Sequence, residues 1–151
     1  MIIKKISALA LLIIAAVAVT AIAQGQFGTA GDAKAMLEKA VAALKADKGK
    51  ALAAFQAGTD GFKDRDLYVF CAGDDGILTA HPTIKGQQIR DLVDKNGKRL
   101  GEAIVAAAKE GQISEVDYMW PRPGEDKTPV KKFSYVTKVG DQVCGVGYYQ
   151  S

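Results

Sequence analysis

Apolar positions recur at Met36, Leu37, Val41 and Leu44, a spacing close to 3.6 residues. That spacing predicts a helix over residues 32–55, with Asp32 as its N-cap and Gly49 dividing a long helix from a shorter one over 50–55. Gly58 and Gly61 end it. The pattern then changes. "DLYVFCA" over 66–72 is rich in β-formers and nearly all apolar, as a central strand would be. "GDDG" is a turn, and residues 77–80 make a short return strand that His81-Pro82 stops, since proline has no ladder donor. Residues 87–93 read as a short helix. Residues 98–109 read as a second, with Leu100, Ile104 and Ala108 on one face and Gly111 after it. Three strands follow, over 112–120, 130–139 and 142–149, the last two joined at Gly140-Asp141. The first carries Val116, Tyr118 and Trp120 on one face. The second carries Phe133, Tyr135 and Val139 on one face and Lys132 and Ser134 on the other.

Consecutive strands without intervening helices cannot form a parallel sheet, which needs a crossover between partners. The order therefore predicts an α+β domain with an antiparallel sheet. The amphipathic helix would cover one face of that sheet, and residues 83–111 would arch over the other.

The beginning of the chain follows a different pattern. Lys4 and Lys5 precede an apolar run from residue 6 to residue 23 that ends in Ala21-Ile22-Ala23. A charged start, an apolar middle and a small-x-small end predict a signal peptide over 1–23, removed before Gln24. The alternative is an uncleaved membrane anchor, because the run approaches the span of a bilayer. Of the chain's 20 basic residues two lie in this segment, which leaves 18 against 17 acidic ones and a net charge of +1 on residues 24–151. The expectation is one soluble periplasmic domain. No cluster of Lys or Arg suggests a nucleic-acid partner.

The two cysteines, Cys71 and Cys144, lie in no C-x-x-C or C-x-x-C-H pattern, so zinc, haem attachment and thioredoxin-like chemistry find no footing. In an exported chain an even number of cysteines points to a disulfide, against the alternative of two buried thiols. One histidine, with no G-x-S-x-G motif, offers no paired set for acid–base or nucleophilic catalysis. No metal site or cofactor is indicated, and Asp74 and Asp75 beside Gly76 are most simply turn formers.

The stretch "MWPRPGEDKTPVKKFSY" is unusual. It holds the only tryptophan and three of the four prolines, then two lysines and a tyrosine. Were the hairpin register to align their faces, Tyr118 and Trp120 would meet Lys132 and Ser134. An aromatic wall beside one ammonium suits a small carboxylate. The bland alternatives are an aromatic core for Tyr118 and Trp120, and solvated edge charges for Lys131 and Lys132. His81 could hold a ligand or cap a turn. Gly145 and Gly147 could leave room in a pocket or let the helix pack closely.

In this order, "DLYVFCAGDDGILTAHP", "VDYMWPRPG", "KKFSYV" and "VCGVGYY" resemble a single Cache domain, the extracytoplasmic sensor module of PAS-like architecture. The resemblance spans residues 32–149. It implies a five-stranded antiparallel sheet in the order 2-1-5-4-3, with a long N-terminal helix on one side and a ligand pocket with short helices on the other. Cys71 and Cys144 would then lie on neighbouring central strands. The resemblance also implies a small-molecule ligand, often a short carboxylate. Tyr118, Trp120 and Lys132 would line the pocket, His81, Ser134 and Tyr135 would be further members, and "PRPGEDKTP" would form its rim. Without a second membrane helix or a signalling domain, a free-standing periplasmic protein is expected, partnered by a membrane-bound sensor kinase or chemoreceptor. The alternative is a docking protein for such a sensor, with a vestigial pocket.

Overall fold

A computed structural model describes residues 25–150 of the chain. The segment read as a signal peptide lies outside them. Helix α1 (Ala30–Ala46) starts at Thr29, whose side chain accepts from the Asp32 N–H while the Asp32 carboxylate accepts from the Thr29 N–H. Asp32 is thus the third helical residue of a capping box and not the cap itself. The interruption falls at Asp47 and not at Gly49. Asp47 adopts an extended backbone and caps α2 (Lys48–Ala57) by accepting from the Lys50 N–H at 3.0 Å. Gly49 is left in the first turn of α2, before that helix closes at left-handed Gly58.

The strands are β1 (Lys63–Asp64), β2 (Leu67–Gly73), β3 (Leu78–Ala80), β4 (Ser114–Pro121), β5 (Pro129–Val139) and β6 (Gln142–Tyr149). All pair antiparallel, with β2-β6-β5-β4 in sequence and both β1 and β3 on the free edge of β2. Without the two-residue β1, this is the expected order 2-1-5-4-3. The helix expected over 87–93 is a single 3-10 turn at Ile89–Asp91. The chain there is held instead as an extended strap, with Leu78 N–H donating to the Gln87 carbonyl and Ile89 N–H to that of Gly76. Helix α3 (Leu100–Ala107) packs tightly on this strap. A β-carbon at Gly101 would collide with the Ile89 carbonyl oxygen.

Alternation along the strands separates two cores. Leu67, Val69 and Cys71 of β2, with Cys144 and Val146 of β6, face α1, which buries Ala33, Met36, Leu37, Ala40 and Leu44 against them. Tyr68, Phe70 and Ala72 face the opposite way, with Val116, Tyr118 and Val136, and meet Leu78, Ile89, Leu100 and Ile104. Cys71 and Cys144 stand directly opposite each other on β2 and β6, their Cα atoms 4.1 Å apart, and are joined by a disulfide.

Candidate functional site

The second core is not filled completely. Between the sheet and the strap a small inner cavity of about 20 Å³ is lined by Tyr68, His81, Tyr118 and Trp120 on its polar side and by Leu78, Ile104 and other aliphatic side chains on its far side. An outer chamber of about 270 Å³, partly open to solvent, adjoins it. Tyr68, His81 and Trp120 are shared by both, and Arg122 and Lys127 belong to its rim. The proline-rich turn between β4 and β5 contributes Pro121, Arg122, Pro123 and Lys127 to the edge of this chamber.

The hairpin register aligns the two faces. Tyr118 is paired with Lys132 and Val116 with Ser134. Lys132 is 1% exposed. Its Nζ donates to the Tyr68 hydroxyl at 2.8 Å and lies 4.2 Å from the centre of the Tyr68 ring and 5.0 Å from that of Tyr149. No carboxylate comes within 4.0 Å of it among the described residues. Burial lowers its pKa to about 7, and the more distant Asp66 only partly opposes this. Gly147 makes the lysine's position possible, because a β-carbon there would occupy the place of the Lys132 chain.

The other residues have definite places. Ser134 is fully buried and its hydroxyl shares a 2.8 Å hydrogen bond with that of Tyr118, so Tyr118 presents its ring to the cavity while its polar end is already engaged. Burial raises the Tyr118 phenol to about 12. His81 accepts at Nδ1 from the Thr83 and Ile84 N–H groups, at 3.2 and 3.3 Å. An Nδ1 that accepts places the ring proton on Nε2. Burial, with the Lys132 charge adding to it, lowers the His81 pKa to about 3, so the ring is neutral at physiological pH. It packs edge-on against Tyr68 and Trp120. Tyr135 is not part of this arrangement. It lies three residues after Lys132, hence on the opposite face of β5, and packs beside Tyr148 in the core under α1.

Two participants escaped the reading of the sequence. Tyr68 lines both chambers and holds Lys132. Burial raises its phenol well above the ordinary value, with Tyr149 and Tyr118 adding to the rise and the Trp120 indole opposing it. Asp66, at the start of β2, accepts from the Gly28 N–H at 2.7 Å and pairs with Arg122 at 3.4 Å. Arg122 in turn lies over the rings of Phe27 and Tyr149. Asp66 thereby ties the pocket mouth to the entry of α1. A tyrosine of the same parity as Phe70 was the signal for the first. Nothing in the sequence pointed to the second.

The arrangement is a partly open aromatic pocket with neutral donors, and the buried Lys132 amine stands behind Tyr68, outside the residues that line either cavity. Matched against known families, residues 4–150 fit the model for "Single Cache domain 2". The chain belongs to that family. Cache domains are extracytoplasmic sensor modules that bind ligands. A methyl-accepting chemotaxis protein from Vibrio parahaemolyticus RIMD 2210633 has a solved structure with 25% identity and a TM-score of 0.64, over 79% of this chain and 86% of that one. The periplasmic sensor domain of a chemotaxis protein shares 28% identity at a TM-score of 0.60, over 78% and 88% of the two chains. A structure described as the basis for carboxylic acid recognition by a Cache chemosensory domain shares 25% identity at 0.60, over 78% and 86%. The methyl-accepting chemotaxis protein McpP of Pseudomonas putida KT2440 is 32% identical over 72 residues, which are 46% of this chain and 13% of that receptor. Among the described residues of this Cache domain, no helix is long and apolar enough to cross a membrane.

Proposed function

We propose that this Cache domain senses a small organic acid in the periplasm. One observation carries the reading. Lys132, buried behind the aromatic wall, has a single hydrogen-bond partner and no carboxylate beside it among the described residues. An ammonium has three donors, and leaving a buried charge unmatched is costly. A ligand carboxylate supplies both the missing charge and the missing acceptors. Tyr118 and Trp120 form the apolar walls, Lys132 the charge contact, and His81 a neutral Nε2–H donor. Ser134 acts through Tyr118. The aliphatic far side of the inner cavity favours a ligand with a short carbon tail, and the carboxylic acid named for one similar Cache structure agrees with this class.

In this reading the first 23 residues are a signal peptide cleaved on export, and occupancy is passed to a membrane-bound chemoreceptor or sensor kinase. The test is a thermal-shift series on residues 24–151 with two- to four-carbon carboxylates at pH 6. A ligand that binds only the folded state raises Tm by mass action. The expected result is a rise with at least one acid that is lost in Lys132→Met. No shift across the series would overturn the carboxylate reading and favour a docking protein with a vestigial pocket.

A further inference from the structure

The hydrogen bond between Lys132 and Tyr68 makes the pocket's donor pattern depend on a proton. When Lys132 is an ammonium it can only donate, so the Tyr68 oxygen accepts across their 2.8 Å contact, and the phenolic hydrogen is free to turn to the cavity that Tyr68 lines. When Lys132 is a neutral amine its lone pair can accept from the Tyr68 hydroxyl. The phenolic hydrogen then turns away, and the cavity meets the lone pairs of an oxygen. A carboxylate is welcomed by the first arrangement and repelled by the second.

We propose that this domain binds a carboxylate together with one proton, so that above neutral pH it reports the undissociated acid and not total carboxylate. The inference rests on the carboxylate reading and adds to it what the site measures. The proton passes from the incoming acid or from water to the Lys132 amine, the ammonium that forms faces the carboxylate, and no covalent bond to carbon changes.

The surroundings of Lys132 fit a group that changes protonation on binding. From β2 it faces Tyr68 and, at longer range, Asp66, whose two oxygens are already given to the Gly28 N–H and Arg122. From β6 it faces Tyr149, whose hydroxyl donates to the Pro121 carbonyl at 2.7 Å. From β4 it faces Tyr118, engaged with Ser134, and from the turn after β3 it faces His81, held neutral by its own burial. Arg122 is turned toward Asp66, Phe27 and Tyr149. Lys131, next in the chain, points to the opposite face. None of these groups supplies a closely paired anion, so the lysine balances near neutrality until a ligand arrives, with its pKa lowered by burial to about 7.

Calorimetry of sodium acetate and sodium propionate on the wild-type domain tests this from pH 6 to pH 9, in phosphate and in Tris at pH 8. Affinity is expected to be level below pH 7 and to fall about tenfold per unit above it. The buffer dependence at pH 8 should show close to one proton taken up per carboxylate bound. Affinity that is level to pH 9, with no proton uptake, overturns the inference and leaves the carboxylate reading standing. No binding of either acid at pH 6 overturns both. Tyr68→Phe keeps the ring and removes the hydroxyl. It is expected to bind at least tenfold more weakly at pH 6 while keeping the fall above pH 7 that Lys132 sets, and wild-type affinity in that variant would overturn the hydroxyl's part in the site. A carbon-13 titration of the lysine ε-carbons gives a check without ligand: a Lys132 signal titrating with the surface lysines would overturn the inference.

Discussion

Lys132 lies across Gly147. The two residues sit on adjacent strands on the same side of the sheet as Tyr68 and Tyr118, and the absent side chain at 147 is the space through which the lysine passes. A β-carbon at 147 would run into the lysine chain and come within 2.5 Å of the Ser134 oxygen. Gly147→Ala is therefore expected to destabilise the domain by about 1–3 kcal/mol through overpacking and to displace Lys132. Urea unfolding measures the first effect. The second appears as lost acetate binding, and a variant of wild-type stability would refute the close approach.

The same lysine predicts how stability varies with pH. Its pKa is about 7 in the folded chain against an ordinary value of 10.5. Below pH 7 both states are protonated and it adds no slope. Between 7 and 10.5 the unfolded state holds more protons, so stability rises with pH. Over pH 7–9 this amounts to about 2 kcal/mol. Lys132→Met is expected to remove that rise and to leave the domain at least as stable as wild type at pH 6, where burying the charge costs most. Denaturant midpoints at pH 6, 7, 8 and 9 decide it.

Lys131 is the control. It is exposed on the other face, with Asp117 3.6 Å away. Lys131→Ala should change stability by less than about 0.5 kcal/mol and leave acetate affinity intact, as expected for a solvated ion pair. A large loss of binding in this variant would mean that the assignment of faces is wrong.

The disulfide closes a loop between residues 73 positions apart. Chain-entropy models value such a loop at about 4 kcal/mol, with measured effects commonly lower. Cys71→Ala/Cys144→Ala is expected to lose about 2–4 kcal/mol, read from non-reducing urea curves beside wild type. Both sulfurs lie in the core under α1, so acetate affinity at 10 °C should be within about twofold of wild type if the sheet stays formed.

Asp66 gives a prediction about the link between the mouth and α1. Asp66→Ala leaves the Gly28 N–H without its buried acceptor and frees Arg122, at an expected cost of about 1–3 kcal/mol. Amide exchange at residues 28–30 should quicken more than exchange in β6. Equal protection throughout would show that the carboxylate does not anchor the helix entry.

The period of the apolar residues was enough to place α1, β4 and the two faces of β5, because parity along a strand is a local property, and β-rich composition with turn residues placed β2, β3 and β6. Parity grouped Tyr118 with Trp120 and Lys132 with Ser134 and set Tyr135 on the other side, while the register that joins the two pairs is set by the folded hairpin. Helix ends were less legible. A glycine at 49 resembles a break, yet an aspartate that caps the next helix is the actual one, since glycine is tolerated in a first turn. The helix expected over 87–93 gave way to a strap because hydrogen bonds to Gly76 and Leu78, distant in sequence, outweigh local propensity. Only the tertiary structure could decide what Tyr68 and Asp66 do. "DLYVFCA" is buried on both faces, so its alternation is hidden among uniformly apolar letters, and which side holds a cavity depends on what α1 and the strap cover. The burial of Lys132 was equally out of reach. A lysine on a strand is ordinarily solvated, and this one is dry because Gly147, Tyr68 and Tyr149, brought from two other strands, enclose it.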